Sequence, residues 1–156
     1  MRVRAVAISL LVLLLAEFAV AGLGSGSAMY VGGTVSAIKE KTEGKLILTD
    51  ADAVTFQFKS GKHSIPYAQV NSLEYGQKAG RRLGLAIVVN PLFLLSKKRK
   101  HYFTIGYLDS AQKQQAAVFE LVKHAIHQTI TALEAKTGKK VDYEDDEARK
   151  SGAGKN

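Results

Sequence analysis

The chain is 156 residues long, 46% hydrophobic and only 8% aromatic, with a formal net charge of +8 and no cysteine. That length holds one domain of ordinary size with tails, and the lack of cysteine excludes disulfides, thiolate metal sites and an N-terminal lipoprotein anchor. A hydrophobic core must therefore hold the fold together, while the positive charge directs attention to anionic partners.

The first residues, MRVRAVAISLLVLLLAEFAVAG, combine Arg2 and Arg4 with an apolar run from Ala5 to Ala16 and small residues at Ala19 and Ala21. This is the basic, apolar and A-x-A order of a secretory signal peptide. The run is interrupted by Glu17 and falls short of the roughly 20 residues that cross a bilayer. Residues 1–21 are accordingly expected to be a cleaved signal, with Ala28 as the alternative cleavage position and 22–28 as a flexible spacer. Removing Arg2, Arg4 and Glu17 leaves +7 of the +8. Export, to the periplasm or beyond the cell, argues against nucleic acid as the partner. An anionic membrane surface or an envelope protein remains, and homo-oligomerisation stays open. For scattered lysines, surface solubility is the plain alternative.

Strand patterns follow. MYVGGTVSAI (29–38) is rich in β-branched residues and broken by Gly32 and Gly33, as in an edge or bulged strand. KLILT (45–49) is short and apolar. In VTFQFK (54–59), Val54, Phe56 and Phe58 alternate with polar residues, giving one apolar face. Residues 60–62 (SGK) form a tight turn in which Gly61 can take positive φ. HSI (63–65) runs to Pro66, which stops ladder pairing, and VNSLEYG (70–76) is a less regular strand. KHYFTIGYLD (100–109) carries Phe103, Ile105 and Tyr107 on one face and is expected to be central.

The period then changes from two to about 3.6. Phe119, Val122, Ile126, Ile130 and Leu133 recur at helical spacing, with Val118, Leu121, Ala125 and Thr129 widening the stripe. One amphipathic helix of about six turns is expected, ending at Lys136 and Gly138 and laid across the sheet. Val141 and Tyr143 are expected to pack on the body, and residues 144–156 to form a disordered charged tail.

Six or seven antiparallel strands followed by one C-terminal helix resemble the pleckstrin-homology-like fold, including its GRAM-like branch. The resemblance rests on GKLILTDADAVTFQF (44–58), IPYAQVNSLEYG (65–76), HYFTIGYLD (101–109) and the segment 119–143, and the helix ending in LEAKTGKKV is similar to small exported bacterial proteins of unassigned function. It implies an α+β, mainly β, antiparallel barrel or sandwich over residues 29–143, capped by the helix. Many such domains bind lipid headgroups at the first hairpin loop. Here KEKTEG (39–44) mixes Lys39, Lys41 and the following Lys45 with Glu40 and Glu43, so a polyphosphate pocket is not carried over.

Catalytic chemistry is poorly supported. His124, His127 and Glu120 could share a helix face, but they match no metal motif. His63 and His101 could meet only through a tertiary contact. S-x-x-K occurs at Ser36–Lys39 and Ser110–Lys113, and K-T-G at 136–138, but the S-D-N element is missing and the K-T-G closes a helix. No enzyme, cofactor or metal is expected.

The residues that stand out are LGLAIVVNPLFLLSKKRK (83–100). Asn90-Pro91 divides the apolar run into two strand-length halves. As a helix the run would reach only about 20 Å against a hydrocarbon core of about 30 Å, and Pro91 would break it. Two readings remain: strands buried on both faces, or a hairpin presenting Ile87, Val88, Val89, Leu92, Phe93 and Leu94 to a membrane or a protein partner. In the second, Arg81, Arg82, Lys97, Lys98, Arg99 and Lys100 meet anionic headgroups. The expected role is non-catalytic: a binding module of the bacterial cell envelope using 81–101, or an interaction and assembly module in which 83–95 is core or interface.

Overall fold

The computed structural model describes residues 25–76 and 100–153. Eight strands form one mixed, mostly antiparallel open sheet: β1 (Ser25–Gly33), β2 (Thr42–Ile47), β3 (Ala53–Phe58), β4 (Gly61–Pro66), β5 (Val70–Gly76), β6 (Tyr102–Leu108), β7 (Gln114–Leu121) and β8 (Val141–Tyr143). Their order is β4-β3-β2-β1-β7-β6-β5-β8, and only the β5–β8 pair is parallel. Two helices complete the described chain, α1 (Ile126–Thr137) and α2 (Asp146–Gly152). The protein is thus mainly β with a helix near its C-terminus, as expected, with eight strands where six or seven were expected.

One short connection shapes the sheet. β4 and β5 are six strand spacings apart in the order, roughly 29 Å if the sheet were flat. The 3-10 turn Tyr67–Gln69 that joins them spans at most about 14 Å between Pro66 and Val70. The sheet must therefore curl. Contacts across the concave side record it: His63 Nε2 on β4 lies 3.3 Å from Tyr107 Oη on β6, and the Phe56 and Phe119 rings lie 5.0 Å apart. Helix α1 covers this concavity through Ile126, Ile130 and Leu133, all in the main core. At its far end Lys136 sits 5.1 Å from the centre of the Tyr67 ring and donates to the Asp50 carbonyl, fixing the helix to the turn.

Several expectations change at this level. The six-turn helix is three turns long, because residues 114–121 form strand β7 and a 3-10 turn, Lys123–Ala125, leads into α1. Ala116, Ala117, Val118 and Phe119 are all buried, so β7 is covered on both faces and loses the alternation that marks a strand. Its apolar run then reads like a helical stripe. No Ser, Thr, Asp or Asn side chain caps α1 at Ala125, which removes the usual start signal. The helix does end as read, with Gly138 at φ 68°. Residues 25–28, expected as spacer, are the start of β1 and pair with Gly44–Ile47. β1 is bulged between Tyr30 and Gly32 but is interior, not an edge. Its Gly33 has φ 134°, and a Cβ there would sit 2.2 Å from the Ala116 carbonyl oxygen. The β3–β4 turn is the pair Lys59–Ser60, since Phe58 faces Gly61, and Gly61 needs no positive φ.

The expected disordered tail is also replaced. β8 sets Val141 and Tyr143 beside β5, and Asp145 caps α2 by accepting from Ala148 N at 2.7 Å. Asp146 and Glu147 lie in the first turn and Arg149 and Lys150 in the last, matching the helix dipole. Ala148 is buried in the main core. An acidic run that looked solvated is a helix start.

The two registers predict different mutants. Leu133→Ala should cost about 2–5 kcal/mol in chemical denaturation, the usual price of a fully buried leucine. Val122→Ala, at a position 37% exposed, should cost well under about 1 kcal/mol. Equal losses at the two sites would restore the long continuous helix.

Candidate functional site

A groove of ≈ 660 Å³ is lined by Ser27–Met29 of β1, Glu43 and Gly44 of β2, Lys100 and His101 before β6, and Glu120 to Lys123 at the end of β7. Strand order and register explain the convergence: β2, β1, β7 and β6 are successive neighbours, Met29 faces both Glu43 and Glu120, and Glu120 faces Tyr102. Met29, Leu121 and Val122 give the groove an apolar side, and Lys100 and Lys123 with Glu43 and Glu120 give it a charged one of mixed sign beside His101.

Lys100 Nζ is 2.8 Å from Glu120 Oε2, with the two side chains 22% and 25% exposed. Partial exposure makes this pair a weak contributor to stability. Its effect is positional, holding the Lys100 ammonium at the groove. His101 is fixed more firmly. Its Nδ1 lies 2.7 Å from Tyr75 Oη, the rings stack 6° from parallel, and Tyr75 Oη also meets Ser151 Oγ of α2 at 3.1 Å. Burial pushes the His101 pKa below its usual value, Lys123 pushes it the same way and Glu120 opposes them. The neutral ring can accept the Tyr75 proton at Nδ1 and keep its own proton on Nε2.

The other histidines do not join it. His63 lies against Tyr107 near the far end of β6, about 17 Å from Tyr102 along the strand. His127 Nδ1 meets the Gly152 carbonyl at 3.3 Å, and His124 belongs to the 3-10 turn. Glu120 is on a strand, so the helical Glu120–His124–His127 face does not exist. Among the described residues no three metal-ligating side chains converge.

Of the residues singled out in the sequence, Arg81, Arg82, Ile87, Val88, Val89, Leu92, Phe93, Leu94, Lys97, Lys98 and Arg99 lie outside the described residues, and only Lys100 is placed. His101, Lys123, Met29 and Glu43 were missed as a group. Four separate elements supply the groove, and no local pattern links them. No helix among the described residues is long and apolar enough to cross a membrane. No protein-family model matches the sequence, and no curated protein matches it either.

The histidines make stability depend on pH. Burial lowers the folded-state pKa of both His63 and His101 below 6.5. Their contribution is therefore complete above about pH 6.5 and is lost as pH falls through the depressed folded values. Urea midpoints measured from pH 7.5 to pH 5 should drop, and the slope should flatten in a His63→Gln/His101→Gln variant. In an NMR titration, Lys123→Ala should move the His101 midpoint upward; an unmoved midpoint would reject the electrostatic contact.

Proposed function

We propose that this protein is a non-catalytic binding module of the cell envelope that adheres to anionic membrane surfaces through the basic residues of segment 81–101, on a pleckstrin-homology-like scaffold. The observation that carries the proposal is the pairing of Gly76 with Tyr102. Residues 77–101 leave one strand and return to its immediate neighbour, so both ends of the segment are tied to one point on the sheet. Arg82 can lie at most about 22 Å from Gly76, and Lys97 at most about 18 Å from Tyr102. Arg81, Arg82 and Lys97–Lys100 thus belong to two clusters, fourteen residues apart in sequence, that are tethered to the same pair of ladder residues. Near an anionic surface each such charge is worth about 1 kcal/mol. Lys100, the member whose position is described, stands at the rim of the groove.

The scaffold reading is supported by the curled meander, the capping helix α1 and the closing turn Tyr67–Gln69. Export is supported by the charge and apolar order of residues 1–21. Cleavage after Ala21 would leave β1 whole, whereas cleavage after Ala28 would remove Ser25–Ala28, which pair with β2. The exported protein should thus begin at Gly22, as intact mass will show.

In flotation, the exported protein should rise with vesicles containing phosphatidylglycerol and stay down with purely phosphatidylcholine vesicles. Binding should weaken as salt is raised from 0.05 to 0.5 M, since the Debye length shortens from roughly 14 to 4 Å. Neutralising Arg81, Arg82 and Lys97–Lys100 to Gln should abolish it. Undiminished flotation of that variant would reject the proposal, and capture of a single envelope protein without lipid binding would favour the interaction-module reading.

A further inference from the structure

The curled sheet has a second apolar face. Alternation along β6 and β7 puts Phe103, Ile105, Tyr107, Ala117 and Phe119 on the concave side with α1, in the main core. It puts Tyr102, Thr104, Gly106, Ala116 and Val118 on the convex side. Those residues are buried too. Val31, Ala116 and Val118 are 0% exposed, and Tyr102 and Thr104 are 2% exposed. Val31, Tyr102 and Val118 form a hydrophobic cluster of their own, joined only by the half-buried Met29 among the described residues.

Neighbouring side chains on one sheet face shield each other's flanks and leave their outward tips open. Complete burial of five such residues requires a layer above them. Neither described helix supplies it: Ile126, Ile130 and Leu133 of α1 and Ala148 of α2 belong to the concave core. The loop between β1 and β2 turns the same way, with Val35 and Ile38 packed in that core.

We propose that this convex face is an internal docking surface whose occupant is the apolar stretch Leu83–Leu95. Where that stretch is attached selects it. It hangs between Gly76 and Tyr102, which are paired, and Tyr102 is itself part of the patch. From Tyr102 to Gly106 the patch runs about 14 Å along β6. The half before Asn90-Pro91, the seven residues Leu83–Val89, is long enough to cover that distance. The run lacks period-two alternation, as expected of residues shielded on both sides. The inference does not depend on membrane binding. It concerns the apolar side chains alone and makes no demand on the basic residues at either end.

The chain contains neither tryptophan nor cysteine, so single reporters are unambiguous. In the exported, vesicle-free monomer, the indole of Phe93→Trp should emit to the blue and resist acrylamide quenching, and phosphatidylglycerol vesicles should not change it. A solvent-like spectrum, shielding that appears only on dimerisation, or a blue shift that appears only with vesicles would each overturn the proposal. As a second test, the thiol of Thr104→Cys should react slowly with a maleimide in the native chain. It should react quickly once residues 83–95 are replaced by a Gly-Ser linker of equal length in a variant whose circular dichroism shows an intact sheet. A thiol that stays protected in that folded variant would assign the cover to another segment. Loss of membrane flotation with both reporters still behaving as expected would reject only the proposed function.

Discussion

The turn Tyr67–Gln69 is the constraint on which the rest of this structure depends. A strand order running from β4 at one edge to β5 near the other would ordinarily spread into a broad twisted sheet. Joining those two strands through three residues forbids that shape and forces a concavity. The concavity then determines what fills it. Aromatic residues from strands distant in the order, Phe56 and Phe119, come within ring contact, and α1 supplies the remaining apolar volume. Tyr67 belongs to the turn and to the core at once. It is 5% exposed, burial raises its phenol to about 12, and Lys136 of α1 stands over its ring.

Curling also makes the strands unequal. β3 alternates between buried and partly open positions, because its outer face meets solvent. Six consecutive residues of β6, Tyr102–Tyr107, are all buried, and so are four of β7. Hydrophobic rhythm therefore marks the strands of the first half well and those of the second half badly. VTFQF was legible as a strand because half of it is wet. β6 was legible through its aromatic and β-branched content, while AAVF was absorbed into the helical stripe that follows it. The boundary at Val122–Ala125 carries no glycine, proline or side-chain cap, so nothing local separates the two periods. Composition misled in the tail for a related reason: α2 is seven residues long and anchored by Ala148 and the Asp145 cap, features too small to outweigh its charge density.

The groove was less legible than the fold. Its charged and apolar walls come from β1, β2, the approach to β6 and the end of β7, four places at which no two lining residues form a motif. Only Lys100 and His101 lay in a stretch that stood out in the sequence. The histidines were no more legible: His63 and His101 could meet only through a tertiary contact, and the structure places them apart, at Tyr107 and Tyr75. His101 follows a basic run and precedes a strand of large aromatics, so its ring had to choose between solvent and tyrosine. It chose Tyr75, and through Ser151 that contact connects the groove to α2.

That linkage gives the C-terminal residues a consequence beyond packing. Tyr75 lies on β5, whose open side is taken by β8, and its ring meets Tyr143 edge-on at 6.1 Å. Glu144 N donates to the Tyr75 carbonyl at 3.0 Å, so the strand that carries the tyrosine is held by the same segment whose helix holds its hydroxyl. His101 in turn is the first residue after Lys100, at the place where the chain returns to the sheet. The orientation of that return is therefore set from the concave side by residues 141–151 and from the groove side by the Lys100–Glu120 pair. A segment tethered by two such anchors at one end and by the ladder at Gly76 at the other begins and ends in fixed directions. Lys100, the described residue of that return, is held at the groove by this geometry.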